Sequence, residues 1–289
     1  MEYALEVQGL EKHYSGFSLQ KVDLALPAGC VLGLVGKNGA GKSTLLNLIL
    51  DVVKKDAGTV RLFGSEVCGP LQKQDIGVVF DESYFHDFLQ PRQISHIMQN
   101  IYQNWDQDQF FHYLQQFALP LDKKVKAFSR GMKMKLSIAA ALSHRARLLL
   151  LDEPTGGLDP VVRDEILDIF ADFMLEEDHS ILISSHITSD LERIADYIAL
   201  IDDGRLLLCQ EKDQLLERYM LLKGSPEQLA AMDSTQRSAL IGLQQGTFGF
   251  EAVCDIQNGL PAGDVVCEPG RLEEVLLHFI RGSERGDRQ

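Results

Sequence analysis

The sequence has no surplus of positive charge. Its 28 Lys and Arg residues face 42 Asp and Glu, a formal net charge of -14. That balance speaks against a nucleic-acid partner gripped through a broad basic surface. Long apolar runs are missing too. Stretches such as Leu148 to Leu151 and Ile198 to Ile201 fall far short of the roughly 20 residues a spanning helix needs. The beginning, Met1-Glu2-Tyr3-Ala4-Leu5-Glu6, lacks the basic head and apolar stretch of a secretory signal, and none is expected. The five cysteines (Cys30, Cys68, Cys209, Cys254, Cys267) are scattered, odd in number and never in a C-x-x-C pair. A disulfide framework or zinc site is therefore not expected, and reduced thiols are the default. Internal repeats and low-complexity tracts are absent. What is present is 289 residues with 45% hydrophobic content, enough to build a core. The length suits one large domain, or a domain of about 200 residues with a smaller appendage.

Short apolar runs at Cys30 to Val35, Ile76 to Phe80, Leu148 to Leu151, Ile181 to Ser184 and Tyr197 to Ile201 read as strands buried on both faces of a mainly parallel sheet. Helical spacing lies between several of them, as in Ile166, Ile169, Phe170 and Phe173. The alternation predicts an α/β domain. The segment from Ser83 to Phe128 is rich in aromatics and Gln, lacks strand-like runs, and reads as a helical insertion. Its aromatics form either a small core or a docking surface. After Asp213 the character changes. Gly224-Ser225-Pro226 predicts a turn opening a short helix, and Gly246-Thr247-Phe248-Gly249-Phe250 a strand. Leu272, Val275, Leu276 and Phe279 share one helix face, and Arg281 to Gln289 is expected to fray.

Gly36-Lys37-Asn38-Gly39-Ala40-Gly41-Lys42-Ser43-Thr44 matches G-x-x-x-x-G-K-[ST] in full, after a strand and before a helix. Glycines let the backbone wrap a phosphate, and converging N–H groups with the helix N-terminus favour an anion. Lys42 supplies a full charge to the β- and γ-phosphates of ATP, and the Ser43 hydroxyl can ligate Mg²⁺. The run Leu148 to Leu151 ends in Asp152-Glu153-Pro154. Asp152, at the strand tip, is placed to hold the Mg²⁺ shell. Glu153 is placed to act as general base on a water in line with the γ-phosphate.

With both motifs placed, the chain resembles the ATP-binding subunit of an ABC transporter, over about Met1 to Asp213. Between the motifs, Phe128-Ser129-Arg130-Gly131-Met132 is similar to the family signature usually written LSGGQ. Arg130 stands for a Gly and Met132 for the Gln. A helix from Lys133 to Ser143 is expected to follow. The resemblance implies a P-loop ABC-type ATPase core with a mixed sheet, a helical subdomain at about 83–147, and a small C-terminal α+β extension over 214–289 as a candidate dimerisation element. It implies that Ser129 and Gly131 cap a nucleotide bound to the opposite subunit, that Asp159 of Gly157-Leu158-Asp159 couples the two sites, and that His186 is a switch histidine assisting Glu153. Tyr14 matches the aromatic that stacks on adenine. Asp81 stands where the family has Gln. A carboxylate can still ligate Mg²⁺ but, when ionised, donates no hydrogen bond. Arg130 could reach a phosphate or a facing carboxylate.

Asp81 and the Ser-Arg-Gly-Met signature resemble the bacterial group paired with ABC-2 type permeases, exporters of drug, peptide or lipid-like cargo. The partners implied are a second copy or a paralogous ATPase subunit and a separate transmembrane permease. The place implied is cytoplasmic, on the inner face of the cell membrane. The rivals are a soluble ABC-class ATPase of cofactor assembly or regulation, and a non-hydrolysing ATP sensor or immunity module. A translation-type member would carry two Lys42-type loops, and a repair-type member a long coiled coil before Ser129. Neither feature is present.

Overall fold

The computed structural model describes residues 2–67, 73–259 and 265–286. The chain starts with a long hairpin, β1 (Tyr3–Tyr14) and β2 (Phe17–Pro27). β3 (Val31–Val35) leads into α1 (Lys42–Ile49), followed by β4 (Ala57–Leu62), β5 (Ser65–Glu66) and β6 (Ile76–Val79). The helical insertion holds α2 (Pro91–Ile101), α3 (Gln107–Gln116) and α4 (Arg130–Leu142). Next come β7 (Leu148–Asp152), α5 (Pro160–Phe173), β8 (Ser180–Ser185), α6 (Thr188–Ile194), β9 (Tyr197–Asp202) and β10 (Arg205–Glu211). The C-terminal part holds α7 (Lys212–Arg218), β11 (Tyr219–Gly224), α8 (Pro226–Ala231), α9 (Ser234–Ser238), β12 (Leu240–Gly246), β13 (Gly249–Asp255), β14 (Val266–Pro269) and α10 (Leu272–Gly286).

The central sheet has the order β10-β9-β3-β8-β7-β6. Every pairing in it is parallel except the β9–β10 hairpin at the edge. β3, β7 and β8 are buried along their whole length, because helices and the N-terminal sheet cover both faces. That is why their central residues read as short apolar runs, such as Leu148 to Leu151 and Ile181 to Ile183. One face packs on the four-stranded antiparallel sheet β2-β1-β4-β5 through Leu10, Leu19, Leu32, Leu45 and Ile76. The other face packs on α4 to α6 through Leu149, Ile166, Phe170 and Ile183.

The insertion is helical as expected. The aromatics Phe110 and Phe117 sit in the core and Trp105 packs against it, whereas Tyr84 and Phe88 are exposed. One expectation needs correction. Gly246 to Phe250 is not one strand: Thr247 and Phe248 are the two-residue turn of the β12–β13 hairpin, and Phe248 is 96% exposed. Gly249 is required by a close approach, since a Cβ there would lie 2.4 Å from the Gly224 carbonyl oxygen. α10 runs to Gly286, and residues 287–289 lie outside the described residues.

α10 packs on the C-terminal sheet β12-β13-β11-β14 and reaches back to the core. Leu272 and Val275 are fully buried and Leu276 nearly so, as their shared face demands. The Leu272 N–H donates to Glu192 Oε1 at 3.0 Å, and the Ser283 hydroxyl donates to Asp202 Oδ2 at 3.2 Å. The four described cysteines are free. Among the described residues, no helix is long and apolar enough to cross a membrane.

Candidate functional site

Parallel strands end in loops at a common edge, so the topology gathers distant residues there. The loop after β3, the tip of β7, the end of β8 and the loop after β6 line up in this way. A cavity of about 480 Å³ at that edge is lined by Asn38, Gly39, Gly41, Lys42, Ser43, Thr44, Asp81, Asp152 and Glu153, together with Phe17 and Lys37. Nine residues singled out in the sequence therefore face one space.

Lys42 opens α1 and is buried. Its Nζ donates to the Gly36 carbonyl at 2.7 Å and lies 3.2 Å from Glu153 Oε1. The lysine charge is thus balanced from inside the chain. Gly41 has φ +113°, and a Cβ there would lie 2.9 Å from Phe17 Cζ. Only glycine combines that dihedral with that close approach. Ala40 is buried, and its carbonyl accepts from the Gly204 N–H at 2.9 Å, which pins the loop to the β9–β10 turn.

The carboxylate pair hangs on β8. The Ser184 hydroxyl donates to Asp152 Oδ1 at 2.6 Å and accepts from the Glu153 N–H at 3.1 Å. Glu153 has φ +50°, a left-handed backbone unusual for a non-glycine residue. Such conformations cluster at functional sites, where surrounding bonds hold them in place. His186 supplies two of these bonds: its Nδ1 lies 2.6 Å from Glu153 Oε2 and its N–H donates to the same atom at 3.3 Å. Donation by the ring requires the proton on Nδ1.

Other residues lie apart from the cavity. Tyr14 ends β1, 45% exposed, and pairs across the hairpin with Phe17, which does line the cavity. Ser129 caps α4, accepting from the Met132 N–H at 3.2 Å, with Gly131 in the first turn. Asp159 caps α5, accepting from the Val162 N–H at 3.1 Å. Ser129, Gly131 and Asp159 do not face the cavity of their own chain. Arg130, open at the level of sequence, reaches a carboxylate of its own chain: Nη2 lies 2.5 Å from Asp81 Oδ1.

Sequence reasoning misses Ser184 and Phe17. Ser184 reads there as one more strand residue, and only the parallel register Asp152↔Ser184 shows its role. Phe17 shows only its pairing with Tyr14 as a signal.

The donor set of Ser43, Asp81 and Asp152 consists of hard oxygens and fits Mg²⁺. Among the described residues, no group of three or more His, Cys, Asp or Glu side chains could hold a metal alone.

A phosphate loop, a strand-tip carboxylate pair and a histidine-braced glutamate on a parallel sheet define a P-loop nucleotide-binding protein of the ATP-binding cassette type. The family model described as ABC transporter matches residues 19–156. The chain is 34% identical to the bacitracin transport ATP-binding protein BcrA of Enterococcus faecalis, over 98% of both chains. It is 34% identical to the ABC transporter ATP-binding protein YtrB of Bacillus subtilis (strain 168), over 76% of both. The fold matches the solved ATP-binding subunit of an ABC transporter with a TM-score of 0.68 at 24% identity, over 74% of this chain and 92% of that one. It also matches a dimeric, post-hydrolysis ATP-binding cassette bound to ADP and Pi, with a TM-score of 0.65 at 20% identity, over 72% and 98%. The chain belongs to the ATP-binding proteins of ABC transporters.

Proposed function

We propose that this protein hydrolyses ATP to power a separate membrane permease that exports drug, peptide or lipid-like cargo. The observation that carries the reading is the alignment of Lys42, Asp152, Glu153 and His186 at one sheet edge, with Glu153 braced at 2.6 Å by His186. The names of BcrA and of a Streptococcus pyogenes lantibiotic transport ATP-binding protein, 35% identical over 72% of this chain, favour a peptide antibiotic as cargo.

In this reading Tyr14 stacks on adenine. Gly36, Asn38, Gly39, Ala40, Gly41, Lys42 and Thr44 cradle the phosphates, Lys42 exchanging Glu153 for the γ-phosphate. Ser43, Asp152 and Asp81 hold Mg²⁺, which when bound neutralises phosphate charge. Glu153 then takes a proton from the attacking water, and His186 orients it. Ser129 and Gly131 present a helix N-terminus to the γ-phosphate of a second copy or a paralogous subunit. Asp159 links the two sites across that interface. Residues 1–213 act as the nucleotide unit. The helical arm at 83–147 passes motion to the permease through its exposed Tyr84 and Phe88. Residues 214–289 extend the unit and serve as the candidate dimerisation element. The protein works on the cytoplasmic face of the membrane.

The test is phosphate release by the purified chain, together with co-purification of the permease expressed beside it. A chain that binds Mg-ATP but releases no phosphate, with or without the permease, would refute the ATPase reading. Loss of bacitracin resistance on deletion is the expected sign of peptide cargo.

A further inference from the structure

The guanidinium of Arg130 lies over the turn that leads to Asp159. Gly157 there has φ +67°, and a Cβ on it would lie 2.8 Å from Arg130 Nη1. The turn is thus open where the arginine sits. Through its other terminal nitrogen, Nη2, the same guanidinium holds Asp81, and Asp81 also lines the phosphate cavity with Ser43 and Asp152. One carboxylate faces two claimants, a cation of its own chain and the cation that travels with ATP.

The ion pair does not anchor the loop after β6. That loop is fastened by backbone bonds, Val125 N–H to the Leu89 carbonyl and Lys126 N–H to the Asp87 carbonyl, both 2.9 Å. Lys133 adds an ion pair to Asp87 at 3.0 Å. Arg130 and Asp81 are themselves about half exposed, a setting in which ion pairs add little to stability. What the pair decides is where the Asp81 carboxylate points.

We propose that Arg130 is a positioning residue for Asp81: it holds that carboxylate until the metal of Mg-ATP competes for it, so that Arg130 and Mg²⁺ occupy Asp81 in alternation. The inference rests on the nucleotide site proposed above. It makes the Mg²⁺ dependence of nucleotide binding adjustable from a signature residue that does not line the cavity.

The experiment titrates MgCl₂ into the full-length protein with a fluorescent, non-hydrolysable ATP analogue and reads the Mg²⁺ midpoint of binding. Arg130→Met is expected to lower the midpoint by about two- to fivefold, the size of an exposed ion pair. Asp81→Asn is expected to raise it. Arg130→Met in the Asp81→Asn background is expected to add nothing, and Arg130→Lys to restore most of the parental midpoint. If Arg130→Met fails to fold, Arg130→Gln carries the same expectation. An unchanged or raised midpoint for the charge-removing variant overturns the proposal, as does an equal shift in the Asp81→Asn background. A parental protein that binds the analogue without Mg²⁺ dependence also overturns the proposal, whereas one that does not bind it at all sinks the nucleotide site itself, which separates the two failures.

Discussion

Replacing Glu153 by Gln tests the chemistry most directly. The substitution keeps the shape and still accepts from the two His186 donors, at 2.6 and 3.3 Å. It removes the basic oxygen and one negative charge. Loss of a positioned general base slows a reaction by about 10²- to 10⁴-fold. The same change frees Lys42, whose Nζ lies 3.2 Å from Glu153 Oε1 in a cavity where both side chains are mostly buried. The contact is an ion pair and not an aligned hydrogen bond, and an attraction of about 1.4 kcal/mol corresponds to a tenfold change in affinity. Incoming phosphate must first displace Glu153, so removing the carboxylate is expected to tighten ATP binding by up to about tenfold. Phosphate release and equilibrium binding of a fluorescent ATP analogue, measured on one preparation, read both effects. Turnover within threefold of the parent would refute the role of Glu153 as base. Weaker binding with slow turnover would instead show that the Lys42 pairing stabilises the bound state.

Ser184→Ala removes the bond that ties Asp152 to Glu153. A loss of about 1–3 kcal/mol in chemical denaturation is expected, with weaker Mg²⁺-dependent nucleotide binding; no change in either would take Ser184 out of the site. His144 is buried against Tyr102, its Nε2 3.0 Å from the Ile76 carbonyl and Nδ1 3.2 Å from the Ala140 carbonyl. Burial pushes its pKa below the ordinary value. The unfolded chain therefore binds the proton first, and the contribution of neutral His144 is full above about pH 6.5 and drains away below it. His144→Gln should flatten the fall in melting temperature below that pH; a parallel fall in both proteins would refute the assignment. Leu276→Ala, in the face of α10 that packs on the core, should cost about 2–5 kcal/mol. An unchanged denaturation midpoint would show α10 to be dispensable.

The central sheet is legible in sequence because burial on both faces leaves Leu148 to Leu151 and Ile181 to Ile183 without polar interruption. The phosphate loop is legible because its glycines and Lys42 are required at fixed spacing. The N-terminal antiparallel sheet escapes because β1 and β2 bulge repeatedly, at Val7/Leu10 and Leu10/Lys12, which blurs their alternation. Gly246 to Phe250 looks like a strand because the aromatics Phe248 and Phe250 alternate with small residues, a pattern the hairpin turn shares. The partner of Arg130 is invisible, since Asp81 lies 49 positions away and meets it only through tertiary packing.

α10 has a consequence for how the chain comes apart. Its Leu272, Val275 and Ile280 belong to the same apolar cluster as Leu191 and Leu200 of the nucleotide unit, and Leu215 and Leu221 join the two. The change of character near Asp213 is therefore a border in composition that the packing crosses. Heating should melt both parts in one transition, and mild proteolysis should find no stable core ending there. Cutting at that border would bare the apolar face that Leu191 and Leu200 share with α10, so a chain truncated there is expected to aggregate or melt early.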